Sequence, residues 1–111
     1  MKDFYDLWYL SRRFAFDGPS LVQAIKATFE RRGTPLPSER PLALTAEFAE
    51  DPAKQTQWNA FVRRGGLKTE SMTLGAIIGV LTDFLWPPTS AAATEAPFEA
   101  TWQPAGPWRH G

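Results

Sequence analysis

The residues best placed to do chemistry stand at the very start of the chain, in Lys2-Asp3-Phe4-Tyr5-Asp6. Asp3 and Asp6 are three positions apart, so on a helix they project from one face, and paired carboxylates there can serve a metal or act as a base. The same spacing has a plainer use, because acidic side chains in a first helical turn complement the positive end of the helix dipole. Other familiar arrangements fail on their letters. The one histidine, His110, sits beside the C-terminus, where a mobile side chain is expected, which leaves no histidine triad and no multi-histidine metal site. With no cysteine in the chain, disulfides and thiolate metal centres are excluded as well. Gly65-Gly66 and the pair Gly75 and Gly79 match neither a phosphate loop nor a dinucleotide fingerprint, and read as a helix stop and as close-packing positions within a helix.

Basic and aromatic residues invite a second kind of chemistry. Arg12-Arg13, Arg31-Arg32 and Arg63-Arg64 each fall near an expected helix C-terminus, where a cation favours the negative end of the dipole. Only clustering in space would turn them into an RNA-contacting patch. Phe4, Tyr5, Trp8 and Tyr9 could stack bases, but at helical spacing they read first as core.

The elements that position these residues follow from periodicity. Apolar residues recur at three- and four-residue intervals from Asp3 to Phe14, which predicts an aromatic, largely buried first helix. Asp17 or Ser20 can cap a second helix with Leu21, Ile25, Thr28 and Phe29 on one face, ended by Arg31, Arg32 and Gly33. After the stiff Thr34-Pro35-Leu36-Pro37-Ser38 connector, a short helix is expected over Leu42 to Ala49. Asp51-Pro52 suits the start of a fourth, bearing Trp58, Phe61 and Val62. Capped by Ser71 or Thr73, the span from Met72 to Trp86 is the expected central core helix, which Pro87-Pro88 should stop. An Ala/Thr/Ser linker over Thr89 to Glu95 would follow. Phe98, Trp102 and Trp108, interleaved with Pro97, Pro104 and Pro107, are too apolar for a solvated tail and too rich in proline for a helix, so an extended tail lying across the helices is expected.

The expected fold is therefore all-α: a small domain of about five helices over residues 1–86, and a linker with a Trp/Pro-rich tail over 87–111. A chain of 111 residues suits one compact domain, burying roughly two thirds of the surface of its unfolded form. Its 43% hydrophobic and 14% aromatic content supports a packed core. Twelve basic and twelve acidic residues cancel, so any basic surface must be local. No apolar run approaches the roughly 20 residues that span a bilayer, and Met1-Lys2-Asp3-Phe4 does not open like a signal peptide, so a cytoplasmic location and no membrane partner are expected.

On these residues a resemblance emerges. Met1-Lys2-Asp3-Phe4-Tyr5-Asp6-Leu7-Trp8-Tyr9-Leu10 resembles the fourth motif of the AbiEii/AbiGii-type nucleotidyltransferase toxins. Phe16-Asp17-Gly18, Ala24-Ile25, Thr28-Phe29, Arg31-Arg32, Leu36-Pro37, Gln57-Trp58, Ala60-Phe61, Phe84-Leu85 and Trp102-Gln103-Pro104-Ala105-Gly106-Pro107-Trp108 extend the similarity over essentially the whole chain, in the order of that family's C-terminal half. The family forms the toxin side of bacterial type IV toxin–antitoxin and abortive-infection (phage-defence) systems. Its members carry a polymerase-β-like α/β domain upstream that transfers a nucleotide from a nucleoside triphosphate, and some modify tRNA.

For this chain the resemblance implies roles by position. Lys2, Asp3 and Asp6 match the family's Lys-Asp-x-x-Asp motif, with Lys2 meeting substrate phosphate, Asp6 the base for the incoming hydroxyl, and Asp3 in a supporting or capping role. Mg2+ and NTP are implied as cofactors of the full-length protein, with neither a metal site nor a cofactor expected for this chain alone. The implied partners are a cognate antitoxin and a tRNA acceptor. Met1 then reads as an internal methionine of a longer chain, and the chain as a C-terminal helical fragment inactive by itself. The alternative is a non-catalytic helical module that binds an antitoxin or a sibling toxin.

Overall fold

The computed structural model describes residues 2–65 and 73–110. Gly66, Ser71 and Met72, to which a helix stop, a cap and a helix start were assigned above, lie outside the described residues. Five helices account for most of the chain: α1 (Lys2–Arg13), α2 (Gly18–Arg31), α3 (Ala46–Glu50), α4 (Pro52–Gly65) and α5 (Leu74–Thr94). A single 3-10 turn, Leu42–Leu44, precedes α3, so the expected short helix is broken in two at Thr45. Thr45 explains the break: extended in backbone, it donates its hydroxyl to the Leu42 carbonyl and accepts from the Phe48 amide, ending one element and capping the next.

The other caps fall on residues whose side chains can accept. Asp17 takes the Ser20 amide at 3.0 Å to open α2, and Thr73 takes the Ala76 amide at 3.1 Å to open α5. Asp51 takes the Ala53 amide at 2.8 Å at the start of α4. Gly33, at φ 64, lets the chain leave α2.

Two corrections concern the tail. Helix α5 runs through Pro87 and Pro88 to Thr94, and thus absorbs the expected linker. The fold is not all-α, because β1 (Phe16–Asp17), β2 (Ala100–Trp102) and β3 (Trp108–His110) form an antiparallel sheet in the order β1-β2-β3. Phe16 pairs with Trp102, and Trp102 with Trp108.

These corrections share a cause. A proline inside a helix cannot donate to the carbonyl four residues back, at a cost of about 3 kcal/mol or more. For Pro88 that carbonyl is Phe84, and Trp108 supplies the donor, its indole Nε1 lying 3.0 Å from the Phe84 oxygen. For Pro87 the carbonyl belongs to Asp83, an exposed residue where water can serve. The Ser11 carbonyl is similarly placed among the last four of α1, which have no partner within the helix. It accepts from Trp102 Nε1 at 2.7 Å and from the Ala105 amide at 2.8 Å. The tail thus returns to two helices the donors that they lack, and the strands put its tryptophans in place to do so.

Helix α5 is the axis of the core. Its first half meets Ala49 and Trp58 through Leu74, Ile77, Ile78 and Leu81, with Phe4, Tyr5, Leu7 and Trp8 of α1 packed alongside. Its second half meets Val22 of α2 through Ala91 and Ala92. Between them Phe84 is ringed by Phe16, Trp102 and Trp108 at 5.1, 4.9 and 6.2 Å between centroids. Two glycines allow the closest approaches. A Cβ on Gly18 would stand 2.5 Å from the Ala100 carbonyl oxygen, and one on Gly106, at φ 74, would stand 2.5 Å from the Trp102 ring. Gly75 and Gly79 do the opposite of what was expected. Both are exposed; a Cβ on Gly79 would meet nothing within 4 Å, so they are not close-packing positions.

Candidate functional site

Helix α1 divides into two faces. Ser11 is fully buried on the inner one, its hydroxyl donating to the Trp8 carbonyl at 2.7 Å. Phe4, Tyr5, Leu7 and Trp8 are half-buried beside it, so the expected largely buried helix is half-buried instead. The Trp8 indole Nε1 is buried and finds no hydrogen-bond partner among the described residues.

Asp3, Asp6, Tyr9, Leu10 and Arg13 form the outer face, all of them exposed. The two aspartates sit one helical turn apart, a spacing that brings Cβ atoms to about 5–6 Å. Asp3 also stands in the first turn, where its charge suits the helix dipole. Lys2 opens the same helix; its side chain lies outside the described part of the structure. Both aspartate side chains reach the surface, and as carboxylates they can only accept hydrogen bonds.

At the other end of α1, two arginines fold back on rings one turn earlier. The Arg12 guanidinium lies 5.4 Å from the Trp8 ring centroid, and that of Arg13 lies 5.0 Å from Tyr9. As expected, both arginines occupy the last turn of α1, as Arg31 does in α2 and Arg63 and Arg64 do in α4. Reading the pairs as dipole partners alone missed the stacking. The spacing carried the signal: Trp8 to Arg12 and Tyr9 to Arg13 are each four apart, where helix neighbours meet.

A groove of about 1070 Å3 lies elsewhere, between α3, α4 and α5. Arg40, Glu50, Asn59 and Asp83 give it polar walls, and the exposed Gly75 and Gly79 give it a low one. Neither Asp3 nor Asp6 is among the described residues that line it. His110 is not the loose terminal side chain expected: it belongs to β3, pairs with Ala100 and meets the Phe98 ring edge-on at 5.9 Å.

For a divalent metal the donor set is incomplete. Among the described residues no three histidine or acidic side chains gather where they could share an ion. Asp3 and Asp6 offer carboxylates from one side only, whereas an octahedral magnesium ion in phosphoryl transfer draws on groups around it. Among the described residues, no helix is long and apolar enough to cross a membrane.

No curated protein and no solved structure matches the chain. A family model does, described as "Nucleotidyl transferase AbiEii toxin, Type IV TA system", over residues 1–95. That match takes in α1 with its paired aspartates and runs one residue past the end of α5, so this chain belongs to the AbiEii nucleotidyltransferase toxin family of type IV toxin–antitoxin systems.

Proposed function

We propose that this chain is the C-terminal helical part of a nucleotidyltransferase toxin, and that the outer face of α1 supplies one wall of its transfer site. The observation that carries this reading is the match over residues 1–95 together with Asp3 and Asp6, exposed one turn apart on a helix whose other face the core holds fixed.

In the proposed reaction an acceptor hydroxyl, on tRNA or another RNA, attacks the α-phosphorus of a nucleoside triphosphate. A new phosphorus–oxygen bond forms, the bond to the β-phosphate breaks, and pyrophosphate leaves. Asp6 takes the hydroxyl proton, Asp3 holds the acceptor or the helix start in place, and Lys2 meets phosphate charge. Mg2+ would neutralise charge on the phosphates when bound. Its carboxylate ligands would come from a polymerase-β-like domain joined to this one. The chain alone is therefore inert, and a cognate antitoxin would oppose the joined enzyme.

The test is incorporation of labelled nucleotide into RNA, with Mg2+ and triphosphates. The chain alone should give none, and the chain joined to its nucleotidyltransferase domain should give incorporation. In that joined protein Asp6→Asn should lower the rate by about a hundredfold or more, the range for loss of a general base. Transfer that survives Asp6→Asn unchanged overturns the assignment.

One observation favours a second reading, in which the chain is a non-catalytic module that docks on an antitoxin or a sibling toxin. Leu10 and Phe14, four apart at the end of α1, are 39% and 52% exposed, an apolar edge that the fold leaves uncovered. Stable complex formation lost in Leu10→Ser, with no transfer by the joined protein, would select this reading.

A further inference from the structure

The arginine pairs become informative once their neighbours are followed from ring to ring. Arg13 lies over Tyr9 at 5.0 Å; Tyr9 is 6.4 Å from Tyr5; Tyr5 is 6.1 Å from Phe61 on α4. Phe61 in turn shares a shallow cleft of about 510 Å3 with Arg64. The result is a continuous strip across two helices, with rings along its middle and an arginine at each end. Tyr9 and both arginines are exposed, while Tyr5 and Phe61 are half-buried with part of each residue open to solvent.

This alternation suits a particular ligand. A single strand of nucleic acid presents flat bases that stack on rings in any sequence, and a phosphate at every step that cations can meet. A wholly apolar partner would have to strip water from a guanidinium at either end. Beside the strip on α1, the exposed Asp6, between Tyr5 and Tyr9, and Asp3, one turn before it, would repel a phosphate there but can accept a hydrogen bond from a ribose 2′-hydroxyl, which only RNA carries. The arginine pairs do not gather at one point, which the sequence made the condition for an RNA patch; instead Arg13 and Arg64 stand at opposite ends of one line of rings.

We propose that the strip Arg13, Tyr9, Tyr5, Phe61 and Arg64 binds single-stranded RNA, its bases stacking on the rings and its phosphates held at the two ends. The proposal deepens the nucleotidyl-transfer reading by naming the surface that would guide the acceptor to Asp6, and it rests on that reading only for the fate of the strand. Binding itself needs no triphosphate, so the two can fail separately.

The experiment is fluorescence anisotropy of an end-labelled unstructured RNA 12-mer titrated with the full chain, without nucleotide, at 50 and 200 mM salt. Two phosphate contacts on a single strand predict that affinity falls about sevenfold over that range. Tyr9→Ala should weaken binding by about fivefold or more, the lower bound for loss of one stacked base. Arg13→Gln and Arg64→Gln should each lower the salt slope by about 0.7. All three positions are exposed or at the rim, and circular dichroism checks that each variant is folded; should Tyr9→Ala not fold, the arginine variants still decide. No binding at 50 mM salt, or binding that these variants leave unaltered, overturns the proposal. So does equal affinity for DNA of the same sequence, which would remove the part assigned to the 2′-hydroxyl, and so does affinity indifferent to salt, which would mark an apolar docking surface.

Discussion

The two faces of α1 are made from the same twelve residues and have opposite fates. On the inner face, Ser11 is fully buried and its carbonyl takes donors from Trp102 and Ala105, residues that lie about ninety positions away in the chain. On the outer face Asp3 serves the helix dipole, Arg13 stacks on Tyr9, and Asp6 too is exposed. Inner-face contacts decide whether the helix sits where it does; outer-face side chains stay at the surface, where an external partner can reach them.

The largest effect that would break this division is expected at Trp102, which is 2% exposed, packs on Phe84 at 4.9 Å and donates to Ser11. Trp102→Ala should cost about 3–5 kcal/mol, a large share of the about 5–15 kcal/mol that holds a domain of this size together. The measurement is chemical denaturation, and an unchanged midpoint would remove the tail from the folding unit. A smaller loss is expected from Trp108→Phe, which keeps a ring against Phe84 but withdraws the donor that answers Pro88. Leaving the Phe84 carbonyl without it should cost about 1–3 kcal/mol. The sharper form of this test adds Pro88→Ala. Restoring an amide there should recover most of the loss, whereas additive effects would deny that Trp108 serves the proline gap. Smaller again is Asp3→Asn on the outer face, which should cost no more than about 1 kcal/mol, the contribution of a carboxylate in a first helical turn. A loss comparable to that of Trp102→Ala would show that the outer face belongs to the fold after all.

How far these features could be read from the sequence depends on where each residue's partner lies. Caps were legible, because Asp17 and Thr73 meet amides three residues on, and local rules describe local bonds. So were the first, second and fourth helices, and the docking of the tryptophan-rich tail. The run of α5 through Pro87 and Pro88 was not, because the rule that proline stops a helix assumes no donor from elsewhere, and Trp108 is 24 residues from the carbonyl it serves. The sheet was missed for a related reason. Strands of two or three residues are too short for an alternating pattern, and β1 and β2 pair across a separation that periodicity cannot sense. Glycine spacing misled in the other direction, since small residues one turn apart in a helix serve an open groove wall as readily as a tight crossing. That Asp3 and Asp6 share one exposed helix face was legible from their spacing, which by itself speaks as readily for dipole compensation as for chemistry. The strip from Tyr9 to Phe61 was not, because it joins two helices whose contact only the folded chain creates.

The smallest expected effect lies at the junction of β1 and α2, and it concerns pH. Asp17 is exposed, yet its carboxyl is held below the ordinary value of 3.8 by the Ser20 hydroxyl, at 2.7 Å, and by the Ser20 amide, at 3.0 Å. Both donate to the charged form, and the unfolded chain lacks them. A group whose folded pKa is depressed adds stability that is fully present above its unfolded pKa and is lost as pH falls through the folded value. The contribution of Asp17 should therefore be constant near neutrality and fade below about pH 4, the usual range in which an unfolded aspartate takes up its proton. Thermal unfolding followed from pH 7 down to pH 2.5 should show Asp17→Ala destabilised at neutral pH, with its deficit shrinking across the acid limb as the native carboxyl protonates. A deficit that stays the same at every pH would mean that Asp17 caps α2 as a neutral acceptor does and that its charge contributes nothing.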